Sequence, residues 1–163
     1  MPTSTAGTRS EPHRTLTAVS DTPRQIARIA RGSNDRQLRR KPAPDAWSAR
    51  DIVAHLRACA EVWGRSIERM ITEDHPTIRY VSPRGWIKRT DYLERGSDSL
   101  REFSQARAGL VEVLSALDAV GWSRCATFTG TTLGRDATVL SYAKRIIDHE
   151  LGHLDQLRRT LGR

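Results

Sequence analysis

The sequence predicts an all-α four-helix bundle with long connections. Three stretches, residues 49–72, 97–119 and 138–161, repeat apolar side chains at alternating spacings of three and four. A shorter stretch opening at Thr22-Pro23 carries Ile26, Ile29 and Ala30 on one stripe. Alternating apolar and polar runs that would read as strands are nearly absent.

Taken in order, residues 1–19 are Ser/Thr/Pro-rich and read as a disordered tail, with 20–163 as the folded domain. Pro23 suits the first turn of a helix, and Gly32 ends that helix. A Pro- and Arg-rich connection then leads to the clearest helix start in the chain. Ser48 is a natural N-cap, Asp51 stands three residues on to return the bond, and Trp47 and Ile52 can staple the entry. That helix runs to about residue 72, ahead of Pro76. Residues 73–96, with Tyr80, Trp86 and Tyr92, form a connection long enough to be functional or a crossover. The third helix carries Leu100, Phe103, Arg107, Leu110, Leu114 and Leu117, with Gly121 as its stop. Residues 122–136, including Gly130 and Gly134, read as a loop or short hairpin before the fourth helix.

The chain has 163 residues, 37% of them hydrophobic, which suits one domain with a real core. No stretch approaches the roughly 18 apolar residues of a membrane helix, and the N-terminal residues lack the apolar segment of a secretory signal. Cys59 and Cys125 are too few and too far apart for a disulfide framework or zinc ribbon. A cytoplasmic protein is the expectation. Of the net charge of +8, residues 1–44 hold nine basic groups against Glu11, Asp21 and Asp35. A polyanion could meet that region, with affinity falling steeply in salt. All but three of the 27 basic residues are arginine, however, which reads as coding bias. No aromatic-interleaved patch accompanies them, so nucleic acid is not expected as a partner.

Five histidines occur, and three fall on the two best helices. With successive residues about 100° apart, His149 and His153 stand one turn apart at the edge of the apolar face of the fourth helix. That spacing lets two imidazoles hold one ion. His55 stands at the edge of the apolar face of the second helix, with Cys59 one turn on as a further possible ligand. Bundles build metal sites from such inward-facing positions. The three are either separate core or rim histidines, each satisfied by a hydrogen bond, or ligands of one metal. As ligands, three neutral imidazoles with an open position make a catalytic rather than a closed structural site. Glu150 falls in the middle of its helix's apolar face, where a carboxylate is costly unless paired. It is either an ion-pair partner of Arg107 or a candidate catalytic base, ligand or partner to the ligands. Arg107, interrupting the apolar stripe of the third helix, is also a candidate substrate-binding residue.

His149-Glu150-Leu151-Gly152-His153 also spells the HExxH of zinc metalloproteases. Its context is poor for a protease, because only ten residues follow and no edge strand is available to hold a peptide. The chain better resembles the DinB-like (damage-inducible protein) metal-binding superfamily, which includes thiol S-transferases acting with bacillithiol or mycothiol. The likeness spans about residues 20–160. It rests on Trp47-Ser48, Asp51-Ile52 and His55-Leu56 opening the second helix, on Gly134 and Thr138-Val139, and on His149, His153 and Gln156 in the last helix. The resemblance implies an up-down-down-up bundle, often a homodimer, holding a divalent metal through His55, His149 and His153. Glu150 departs from the family, where aspartate or another polar residue is commoner. The expected activity is metal-dependent thiol transfer or hydrolysis on a small molecule. Zinc or nickel would serve, with a low-molecular-weight thiol such as mycothiol as cosubstrate. The alternatives are the protease and a non-catalytic metal-binding or interaction module.

Overall fold

Ten elements follow one another in the computed structural model, which describes residues 10–130 and 136–163. They are α1 (Glu11–Arg31), α2 (Asp35–Arg39), α3 (Ala49–Thr72), β1 (Thr77–Arg79), α4 (Pro83–Ile87), α5 (Gly96–Ser115), α6 (Ala119–Ser123), β2 (Cys125–Thr129), β3 (Asp136–Thr138) and α7 (Val139–Leu161). The four long helices α1, α3, α5 and α7 form the bundle. α1 and α3 each pack on both α5 and α7.

Named contacts fix the direction of each helix. Lys144 Nζ meets Glu11 Oε1 at 2.6 Å, near the starts of α7 and α1, and Arg163 donates to the Ile29 carbonyl where both end. These two helices are therefore parallel. The Arg50 guanidinium donates to the Glu94 carbonyl, so α3 and α5 start together and are parallel too. Arg124 Nε donates to the Met70 carbonyl at 3.0 Å, placing the end of α3 beside the segment that leads into α7. The pair α3/α5 thus runs against α1/α7, which gives the up-down-down-up order.

Local signals place the helix ends. The Ser48 hydroxyl accepts the Asp51 amide at 3.2 Å, and the Ser48 amide donates to Asp51 Oδ2 at 2.9 Å. This reciprocal cap is the one expected from the sequence. Thr138 and Ser141 make the corresponding cap at the start of α7, and Gly162, at φ 70°, closes its end in the left-handed region that glycine tolerates.

Three expectations need correction. α1 starts at Glu11, so residues 11–19 are helical rather than tail. Pro12 in the first turn suits the new start, and burial of Thr15 and Val19 outweighs the polar composition. Pro23 consequently lies inside a helix. α5 stops at Ser115, and Asp118 Oδ1 accepts the Gly121 amide at 2.7 Å to cap the separate helix α6. Gly121 therefore lies within α6, where an added Cβ would meet Leu117 Cδ2 at 2.9 Å. Finally, β1 joins the β2–β3 hairpin to make a small sheet, parallel to β2 with Thr77 opposite Thr127. Gly134 of the motif lies outside the described residues.

Two apolar clusters fill the bundle. One gathers Trp63, Met70, Leu114, Trp122, Phe128 and Ile146, and the other gathers Ile26, Ile52, Phe103, Leu154 and Leu157. Along α5, Arg107 falls between Phe103 and Leu110. Along α7, Glu150 falls between Ile147 and Leu154. A polar layer thus crosses the middle of the bundle, and the histidines stand at the same level.

Candidate metal centre

His55 lies in the second turn of α3, in register with the antiparallel α7, and it meets the His149/His153 pair there. His149 Nε2 is the common member, 3.2 Å from His55 Nε2 and 3.1 Å from His153 Nε2. Two nitrogens bound about 2.0–2.1 Å from one ion would stand roughly 2.9–3.4 Å apart, from square to tetrahedral angles. The observed spacing falls in that range. A neutral imidazole offers one N–H, so His149 Nε2 cannot place a hydrogen toward both neighbours. At least one of the two contacts is therefore made without His149 donating, which leaves imidazole lone pairs in the cluster that a cation could use.

His153 Nδ1 lies 2.8 Å from Gln156 Oε1, an acceptor, so Nδ1 carries the proton and Nε2 is bare. Two indoles wall the cluster. Trp63 meets the His149 ring edge-on at 4.7 Å, and Trp47 lies nearly parallel to His153 at 6.1 Å. Burial is the largest reason the three imidazoles resist protonation. It acts with the neighbouring imidazoles to bring His149 down to about 3, and with His153 and Arg84 to bring His55 down to about 4. His153 is lowered by burial as well.

That shift carries a pH prediction. Below the unfolded value near 6.5 an unfolded chain takes up protons that these folded imidazoles refuse. Stability is therefore full above about pH 6.5 and falls as pH drops toward the folded values of about 4 and 3. Thermal melts of metal-free protein at pH 7.5, 6 and 5 should show a falling midpoint, and an unchanged midpoint would contradict it.

Cys59 Sγ lies 3.4 Å from His55 Nε2. Among the described residues, His55, Cys59 and His149 place donor atoms all within 4.8 Å of one another. By hydrogen-bond contact, His153 reaches this group through His149 alone, with 3.1 Å between their Nε2 atoms. Burial pushes the Cys59 thiol up, which keeps it protonated in the metal-free protein.

Glu150 and Arg107 are placed elsewhere. Arg107 Nε meets Glu150 Oε1 at 2.5 Å, with both side chains essentially inaccessible. Burial raises the Glu150 carboxyl and Arg107 opposes that shift. The glutamate thus ties α7 to α5 behind the imidazoles. Arg107 lines a groove between α1 and α5, away from the clefts that reach the histidines.

Those clefts flank Trp47 and Arg84. One, about 460 Å³, is lined by His153, Gln156 and Arg159, and the other, about 410 Å³, by His55, Lys41 and Lys88. The Arg84 guanidinium lies 5.2 Å over the Trp47 ring. Sequence reasoning did not assign Arg84 to the site, since nothing in a loop arginine's neighbours indicates where a crossover will set it down. In the sequence Trp47 is a helix-entry staple and a motif residue, and an indole just before a cap two turns from His55 is the signal that it also walls the site.

A histidine cluster inside a bundle of two parallel helix pairs defines a narrow class of helical proteins. The chain belongs to the DinB superfamily, whose family model matches residues 18–157, from α1 into the last turns of α7. No curated protein matches the sequence. Among solved structures the fold is similar to YfiT from Bacillus subtilis, with a TM-score of 0.76 and 18% identity over 99% of this chain and 94% of that one. That protein is described as a probable metal-dependent hydrolase with an unusual four-helix bundle topology.

Proposed function

We propose that His55, His149 and His153 hold a divalent metal ion, zinc or nickel, and that the chain is an enzyme acting on a small molecule at that centre. The reaction is hydrolysis or the transfer of a low-molecular-weight thiol such as mycothiol to an electrophile. The observation that carries this reading is the approach of His149 Nε2 to both other imidazole nitrogens. Bound there, the ion supplies Lewis acidity, which lowers the pKa of a nucleophile beside it.

The chain's own residues supply binding, orientation and exclusion of water. Gln156 fixes the His153 ring, and Trp47 and Trp63 keep the imidazoles dry and neutral. Lys41, Arg84, Lys88 and Arg159 outnumber Asp45 and Asp51 along the two clefts, so an anionic substrate group is favoured. Glu150, bound to Arg107 and inaccessible, acts in holding the helices rather than as the base of an HExxH protease. The family likeness is the support for a homodimer and a cytoplasmic location.

The test is bound metal per chain by mass spectrometry, on protein purified without a polyhistidine tag, beside a His55/His149/His153 triple-alanine variant. Near-stoichiometric metal lost in the variant supports the centre, and turnover in a thiol-transfer or hydrolysis screen supports the enzyme. Metal without turnover makes it a binding module. Protein that refuses zinc and nickel overturns both.

A further inference from the structure

A second cluster of reactive side chains lies at the other end of the bundle. Between His55 and the end of α3 run 17 residues, about 25 Å of helix. There the chain leaves α3, passes His75 and Pro76, and pairs β1 with β2. Cys125 Sγ on β2 lies 3.0 Å from His75 Nδ1, His75 Nε2 lies 3.2 Å from Thr127 Oγ1, and Thr127 Oγ1 donates to Asp136 Oδ1 at 2.8 Å. Four side chains from three segments thus form one line, Cys125–His75–Thr127–Asp136.

The end of that line determines the proton positions. Thr127 has one hydroxyl hydrogen, and Asp136 takes it. The Thr127 oxygen can then only accept, so His75 Nε2 carries the imidazole hydrogen and Nδ1 is bare. A bare Nδ1 at 3.0 Å is the acceptor for the Cys125 thiol hydrogen. A thiol facing a base whose far side is held by a third group is the arrangement of an activated nucleophile.

The scaffold holds this arrangement at a backbone cost. His75 sits at φ 42°, unusual for a residue with a side chain. The Arg124 guanidinium, donating to the carbonyls of Met70 and Glu73, ties the end of α3 to the residue before Cys125. His75 and Asp136 are exposed and Cys125 is half-buried, so small reagents can reach the sulfur. Cys59, by contrast, has no exposure.

We propose that Cys125 is a reactive thiol, with His75 as its proton acceptor, that forms mixed disulfides with low-molecular-weight disulfides. Its hydrogen passes to His75 Nδ1 as the sulfur attacks one sulfur of the incoming disulfide. A new S–S bond forms and the old one breaks. The departing half leaves as a thiolate and takes the proton from His75. One protein thiol and one small disulfide become one mixed disulfide and one small thiol, with no other oxidant needed. Thr127 and Asp136 are positioning residues that keep the imidazole in the accepting tautomer.

The experiment treats the full chain with glutathione disulfide near neutral pH and follows adduct mass over time, with peptide mapping to assign it. Expected is one adduct on Cys125, none on Cys59, and a rate lower by about tenfold or more in His75→Gln and in Thr127→Val. Thr127→Ser, which keeps the hydroxyl, should restore the rate, an effect that lost packing would not reproduce. Circular dichroism checks folding, and if His75→Gln does not fold, the Thr127 pair decides. Equal rates in the wild type and Thr127→Val, or an adduct forming first on Cys59, would overturn the proposal.

Discussion

Replacing His149 with alanine is expected to abolish stoichiometric zinc binding and leave the helical fold in place. Its Nε2 is the member shared by both short contacts, so its loss leaves His55 and His153 on separate helices with no nitrogen between them. Gln156→Leu should do less. It frees the His153 ring without removing a ligand, and such outer partners are worth about 10- to 100-fold in affinity. Zinc titration calorimetry on the wild type and both variants would show the order. An alanine variant that binds zinc like the wild type would remove His149 from the centre.

The second large effect is on stability. Arg107→Met should destabilise the protein by about 3–5 kcal/mol, because it leaves the Glu150 carboxylate buried without its partner. At about 2–4 °C per kcal/mol for a chain of this size, the melting midpoint falls by roughly 6–20 °C. The double variant Arg107→Met/Glu150→Leu should recover most of that loss, since two apolar side chains of similar volume replace the pair. It also separates two roles for Glu150. Zinc affinity and turnover retained in the double variant mean that the glutamate only braces the helices. Turnover lost with affinity retained would restore it as a base.

The reasons some of this was legible in the sequence, and some not, are local. The start of α3 was placed to the residue because it is written in two side chains, Ser48 and Asp51, whose reciprocal bonds span only three positions. The histidine spacing on α7 is likewise set by helical geometry alone. The start of α1 was missed because it depends on Thr15 and Val19 being covered by other helices, which no local pattern reports. β1 was missed for the same reason, since its three residues become a strand only when β2 arrives almost 50 positions later. The Glu150–Arg107 bond was one of two alternatives that spacing left open, and only the approach of α5 to α7 resolves them.

The parallel course of α3 and α5 has one more consequence. Two neighbouring helices that run the same way cannot be joined by a tight turn, so the chain must travel back along the bundle between them. That return is residues 73–95. Glu61 of α3 clasps it by accepting the Trp86 indole hydrogen at 3.0 Å and the Tyr92 hydroxyl at 2.5 Å. The return carries Arg84 to both clefts and Lys88 to one of them, and its own imidazole, His75, lies at the far end of the bundle from the other three. Grip and choice therefore reside in different parts of the molecule. In the proposed enzyme the bundle would set what the centre holds, and a strap fastened at one glutamate would set what is admitted to it. Exchanging that strap between relatives is thus a way to change what enters without disturbing the histidines.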